Sequence, residues 1–157
     1  MQATFEKIYQ ENFKKVFGLT LGYANGDYDI AADLTQEVFV KVWEHLKDFR
    51  KEASISTWIY RITINTCLIY KRKKRAFPLT SDVIALEEED KAVLEHKYST
   101  MYSCISQLPE THKSIILLEL EGVPQSEIAA IIGISHQALR TRLSRIKNQL
   151  SKCVHNE

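Results

Sequence analysis

Nowhere in the chain do apolar residues run on for the ~18 positions that a membrane span needs, and Met1–Lys15 carries charges where a signal peptide would have its apolar core. The sequence therefore predicts a cytoplasmic protein with no direct membrane insertion. Cysteine is scarce: Cys67, Cys104 and Cys153 are odd in number and far apart, with no CxxC pair and no Cys/His spacing suited to a metal. They read as free thiols. Glycine and proline are also few, five and three among 157 residues, which excludes collagen-like and low-complexity chains and makes helix the state to expect. The histidines, at positions 45, 96, 112, 136 and 155, are scattered, and no Gly-rich phosphate loop, nucleophile motif or triad can be assembled around them. On this reading there is no catalytic residue, no metal, no cofactor and no small-molecule substrate.

What the chain does have is sorted charge. The formal net charge of +1 conceals the segregation. From Ala53 to Ser81 the only ionised side chains are Arg61, Lys71, Arg72, Lys73, Lys74 and Arg75. An acidic stretch follows, with Asp82, Glu87, Glu88, Glu89 and Asp90, and the chain turns basic again through Arg140, Arg142, Arg145, Lys147 and Lys152. Two basic surfaces flanking an acidic connector are what a polyanion contacted in two places would require.

Apolar periodicity divides the chain further. Phe5, Ile8, Tyr9, Phe13, Val16, Phe17 and Thr20 recur at helical spacing, with Asn25-Gly26 as a stop. A second helix opens at Asp27 or Asp29 and runs to about Lys47, its stripe formed by Ile30, Leu34, Val38, Val42 and Leu46 and its polar face by Asp33, Gln36, Glu37, Lys41 and Glu44. Phe49–Ile55 reads as a loop, after which Ser56 or Thr57 can cap a third helix ending near Arg75. The stretch Ile55–Thr66 is β-branched enough for a strand, but its length favours helix. Pro78 and the acidic cluster mark a linker, beyond which helices are expected at about Lys91–Gln107, from Pro109 in a first turn through Glu121, at Glu127–Ile132, and at His136–Lys152. The predicted fold is all-α: two small helical domains, 1–76 and 94–157, joined by a flexible acidic linker over 77–93. Domains below ~70–80 residues bury little apolar surface alone, so such halves should lean on a partner.

The stretch from Glu127 to Leu139 reads as a helix-turn-helix. Small Ala129 lets two helices approach, Gly133 supplies the turn, and Ile128, Ile132, Ile134, Leu139 and Leu143 bury the corner. The following helix would then project His136, Gln137, Arg140, Thr141, Ser144 and Arg145, residue types that reach base edges and phosphates in a major groove. No acid occurs from Ala129 to Asn156.

Three segments of the first half, Asp33-Leu34-Thr35-Gln36-Glu37-Val38-Phe39-Val40-Lys41-Val42-Trp43, Phe49-Arg50-Lys51-Glu52-Ala53-Ser54 and Thr57-Trp58-Ile59-Tyr60-Arg61-Ile62-Thr63-Ile64-Asn65, precede Leu108-Pro109-Glu110, Glu119-Leu120-Glu121-Gly122 and the helix-turn-helix. In that order they resemble the extracytoplasmic-function subfamily of sigma-70-family RNA polymerase sigma factors, over roughly Phe5–Arg75 and Tyr98–Leu150. The resemblance implies a factor that binds core RNA polymerase, at the beta-prime clamp and the beta flap, and directs initiation at promoter DNA. It implies polymerase contact through Asp33, Gln36 and Glu37. Minus-10 DNA would be met by Arg50, Ser54, Trp58, Tyr60, Arg61, Asn65, Lys71, Arg72, Lys73, Lys74 and Arg75, and minus-35 DNA by the six outward residues from His136 to Arg145. It also implies an anti-sigma partner. Lys51 and Ile55 depart from the family's usual Gly and aromatic in the first loop, as does His136-Gln137 from the small residues common at the start of the recognition helix. The rival reading is a helix-turn-helix regulator of the response-regulator output type. That rival needs a receiver or ligand pocket where this chain has an acidic helix followed by a basic, aromatic one.

Overall fold

The computed structural model describes residues 2–76 and 99–155. The expected acidic linker, and the start of the helix that follows it, lie outside the described residues. Seven α-helices are described: α1 (Gln2–Tyr23), α2 (Tyr28–His45), α3 (Ile55–Ala76), α4 (99–106), α5 (Glu110–Leu120), α6 (Gln125–Ile132) and α7 (His136–His155), with one 3-10 turn at Leu46–Asp48. Among the described residues there is no strand. The β-branched stretch Ile55–Thr66 is helical, since Ile59 and Ile64 gain more by facing a core than propensity costs them.

Local signals set most helix ends. Asn25 and Gly26 both take positive φ, 54° and 86°, and reverse the chain after α1. Asp27 then caps α2, its Oδ1 accepting from the N–H groups of Asp29 and Ile30 at 3.0 and 3.2 Å. Two expectations shift by a residue or two. The cap of α3 is Ser54, not Ser56 or Thr57: its Oγ accepts from the Thr57 N–H at 3.1 Å, while Thr57 itself is buried and meets the same hydroxyl at 2.8 Å. Pro109 stands at the N-cap of α5 rather than inside its first turn, its carbonyl accepting from the Lys113 N–H at 2.9 Å.

Ile8, Val16, Val38, Phe39, Val42 and Ile59 form a core private to α1, α2 and α3. A second and larger core is shared. Leu19, Tyr23, Leu34, Tyr60, Ile64 and Cys67 from the first half pack in one cluster with Cys104, Ile105, Leu108, Ile115 to Leu118, Ile128 and the apolar face of α7. The two halves thus lean on each other.

The cysteines correct the sequence reading. Cys104 on α4 and Cys153 in the last turn of α7 are joined in a disulfide, with Cα atoms 6.0 Å apart across a sequence separation of 49. Only Cys67 is free, and it is buried. Burial pushes its thiol up to about 12, against the pull of nearby Lys71.

Candidate nucleic-acid interface

Helices α6 and α7 meet at a corner made by Gly133, whose φ of 87° belongs to the left-handed region that L side chains avoid. Its N–H and that of Ile134 both return to the Ala129 carbonyl, at 2.8 and 3.1 Å. Ser135 then caps α7 by accepting the Ala138 N–H at 3.1 Å. With Ile128, Ala129, Leu139, Leu143 and Ile146 buried beneath this corner, the opposite face of α7 is left in solvent. All six residues expected there, His136, Gln137, Arg140, Thr141, Ser144 and Arg145, are exposed. Five of them, His136 being the exception, line one open depression. The Thr141 hydroxyl is partly engaged, donating to the Gln137 carbonyl at 3.2 Å.

The residues expected on α3 and its preceding loop part into three groups. Trp58 and Asn65 come together with Ile62 and Thr66 in a cavity of about 250 Å³ between α2 and α3. Trp58 is half-buried there, its ring tilted on Phe49 at 5.1 Å, whereas Asn65 is exposed. Arg50, Arg72, Lys73 and Lys74 are exposed at the loop and along the last turns of α3, while Ser54 is occupied as the helix cap. Arg75 belongs to the same helix, its side chain being outside the described ones.

Tyr60, Arg61 and Lys71 form the third group and face the second half of the chain. Tyr60 is 3% exposed, so in this arrangement it offers no surface to a ligand. Arg61 donates from Nη2 to the Ala130 carbonyl of α6 at 3.0 Å. Lys71 lies 4.0 Å from Glu110 of α5 and 5.6 Å above the centre of the Tyr23 ring.

Two cavity residues escaped the sequence reading. Lys41 and His45 line the same cavity from α2, Lys41 reaching the Thr66 hydroxyl at 3.1 Å and Glu37 at 3.5 Å. Their signal was the spacing of four, which sets both on one helical face. The candidate polymerase-contact residues Asp33, Gln36 and Glu37 are all exposed on α2. Beside them runs an aromatic groove between α1 and α2. Phe5, Tyr9, Phe13 and Phe17 face Phe39, Val40 and Trp43 across it, with Gln36 on its lining and Trp43 51% exposed. Phe5 meets Trp43 edge to face at 5.1 Å, and Tyr9 is tilted on Phe39 at 4.7 Å. Among the described residues no cluster of three metal-ligating side chains occurs, and no helix is long and apolar enough to cross a membrane.

Comparison with known proteins gives these surfaces a context. Residues 8–77 match the family described as Sigma-70 region 2, and residues 99–150 match Sigma-70, region 4. The chain is 30% identical over 180 residues to the ECF RNA polymerase sigma-E factor of Haemophilus influenzae, covering 98% of this chain and 94% of that one. It is 29% identical over 154 residues to the RNA polymerase sigma factor SigZ of Bacillus subtilis, covering 94% and 88%. In fold it is similar to CnrH, solved in complex with the cytosolic domain of CnrY, with a TM-score of 0.76 at 20% identity over 100% of this chain and 91% of that one. It is also similar to the sigma factor RpoE, solved with the anti-sigma factor NepR from Bartonella quintana, with a TM-score of 0.68 at 20% identity over 96% and 98%.

Proposed function

Because the chain belongs to the extracytoplasmic-function group of the sigma-70 family and directs RNA polymerase to promoters, we propose that it reads a promoter through two faces and holds core polymerase through a third. The first domain, 1–76, opens and binds minus-10 DNA; the second, 94–157, binds the minus-35 element; residues 77–93 connect them. The cavity around Asn65 carries this reading. An extruded base costs a few kcal/mol to unpair and recovers it from stacking surface and hydrogen bonds, and Trp58 with the amide of Asn65 supplies both. Arg50, Arg72, Lys73, Lys74 and Arg75 then bind phosphates without choosing sequence. In the second domain Gln137, Arg140 and Arg145 read base edges, with His136, Thr141 and Ser144 beside them.

Asp33, Gln36 and Glu37 present hydrogen-bond acceptors to the cations of the beta-prime clamp. The aromatic groove alongside adds apolar area that a partner would dehydrate. The second domain holds the beta flap. Chemistry belongs to the polymerase, and the chain itself has no turnover. We place its action in the cytoplasm, under an anti-sigma factor such as the one with which RpoE, of similar fold, was solved. The response-regulator alternative is not favoured, since the first half matches region 2 rather than a receiver. The purified chain should redirect core polymerase to new start sites when these are mapped across the host genome. If no new starts appear, the promoter-reading assignment fails.

A further inference from the structure

Leu139, Leu143, Ile146 and Leu150 form the buried stripe of α7, and Cys153 follows three residues later on the same face. Beyond Leu150 the last turn has a weaker apolar hold: Cys153 and Val154 are only partly buried, and Ser151, Lys152 and His155 are exposed. The bond to Cys104 on α4, between Cα atoms 6.0 Å apart, adds a covalent one. Residues 105–152 lie inside the loop that it closes, and with them α5, α6, the Gly133 corner and all six outward residues of α7. The two partners are unequally accessible: Cys104 is 2% exposed, whereas Cys153 is partly open to solvent. Cys67, the third cysteine, is buried on α3 with its thiol pushed up to about 12, so it holds almost no thiolate with which to exchange.

We propose that Cys104 and Cys153 form a thiol–disulfide exchange site, at which the low-molecular-weight thiols and disulfides of the cytoplasm set whether the helix-turn-helix is covalently closed. Minus-35 reading is strong in the oxidised chain and weak in the reduced one. The inference rests on reading the exposed face of α7 as the minus-35 face. A small thiolate attacks the accessible Cys153 sulfur; a bond forms between them, the bond to Cys104 breaks, and Cys104 leaves as a thiolate that takes up a proton. A second small thiolate attacks the small-molecule sulfur of this mixed disulfide and releases Cys153, which is protonated in turn. Two small thiols thereby supply two electrons and two protons to the protein pair and become one disulfide, and a low-molecular-weight disulfide drives the reverse. Disulfides in a reducing compartment are commonly transient or redox-sensing. Closing the loop removes disordered conformations of the chain it spans, and the second half, described over 99–155, falls below the ~70–80 residues that a self-sufficient core requires. Its order therefore responds to the loss of one covalent link.

The test uses holoenzyme assembled from core polymerase and the full-length chain, equilibrated at a series of reduced-to-oxidised glutathione ratios. Acid quenching, alkylation and peptide mass spectrometry read the exchange: Cys104 and Cys153 should become alkylated together as the ratio rises, and a brief exposure should trap glutathione on Cys153 rather than on Cys104. Binding is then measured on a promoter with its minus-35 element intact and on one with that element scrambled. If reduction leaves the helix-turn-helix competent one time in ten, affinity for the intact promoter falls about tenfold, and that for the scrambled one changes little. Holoenzyme carrying Cys153→Ser should bind at the reduced level at every ratio; if that variant fails to fold, the wild-type titration decides alone. A pair that stays in one state at every ratio, or that opens with no loss on the intact promoter, overturns the proposal. So do equal losses on both promoters, or a Cys153→Ser holoenzyme that still responds to glutathione. The minus-35 reading is checked separately by combining Arg140→Ala with Arg145→Ala in oxidised holoenzyme: if that variant still separates the two promoters as wild type does, the face assignment has failed and the exchange has not.

Discussion

Arg145 and Lys73 are both cations on exposed helical faces, yet the chemistry of the side chains separates their roles. A guanidinium can take a guanine edge through two parallel hydrogen bonds, and Arg145 shares its depression with Gln137, Arg140, Thr141 and Ser144. Arg145→Ala should cost roughly 1–3 kcal/mol on the preferred minus-35 sequence and relax discrimination at one base. The ammonium of Lys73 is a compact point charge among exposed Arg72 and Lys74. Lys73→Ala should weaken all promoters alike and lower the slope of log affinity against log salt by ~1. Holoenzyme binding to matched and single-base-changed promoters at several salt concentrations reads both. A uniform loss from Arg145→Ala would make it a phosphate clamp and move base reading to His136, Gln137 or Arg140.

For the helices, the decisive features lie at their ends. Ser54 satisfies a free N–H at the start of α3, and that start fixes the register that points Asn65 and Trp58 into the cavity. Ser54→Ala should destabilise the protein by about 1 kcal/mol by removing a cap, whereas Ser56→Ala leaves the cap in place and loses side-chain contacts with Asn12, at 3.0 Å, and with Tyr60. Urea melts would rank the two, and a larger loss at Ser56 would return the cap to that residue. The same helix carries residues that we propose meet DNA on one side and residues engaged with α5 and α6 on another. Rotation of its register by a single position would exchange them.

Across the whole molecule, two links tie distant parts together. The disulfide spans 49 residues and joins α4 to the end of α7. Closing a loop of that length should contribute roughly 4 kcal/mol to the folded second half. Thermal melts with and without a reductant, compared with Cys153→Ser, test this; a melt indifferent to reductant contradicts it. The second link is Glu121 at the end of α5, whose carboxyl lies against Gly18 of α1. Burial raises the Glu121 carboxyl above the usual glutamate range, against Lys15 and Lys14, with Tyr60 also facing it. A raised acid favours the packing of α5 against α1 while it is protonated. Its contribution is complete below the ordinary glutamate value and is lost as pH rises through the raised one. The radius of gyration should therefore grow as pH rises across that window, and Glu121→Gln should flatten the dependence. An identical profile in Glu121→Gln would assign the effect to another group.

How much of this was legible beforehand depended on distance along the chain. The helices, the Asn25-Gly26 reversal, the Asp27 cap and the Gly133 corner followed from residues within a few positions of each other, because caps, turns and periodicity are local interactions. The outward face of α7 followed too, once its buried stripe was known. The cavity was half legible: Asn65 and Trp58 were marked, but Lys41 and His45 enter it from another helix. By itself the sequence determined an all-helical chain whose charge and motifs point to DNA at two places. Only the tertiary structure decided that Cys104 meets Cys153, that Tyr60 is buried, and that Arg61 reaches Ala130, 69 residues away. Each of those depends on which helical faces pack together, and the free energy of that choice is spread over a core that no local stretch contains.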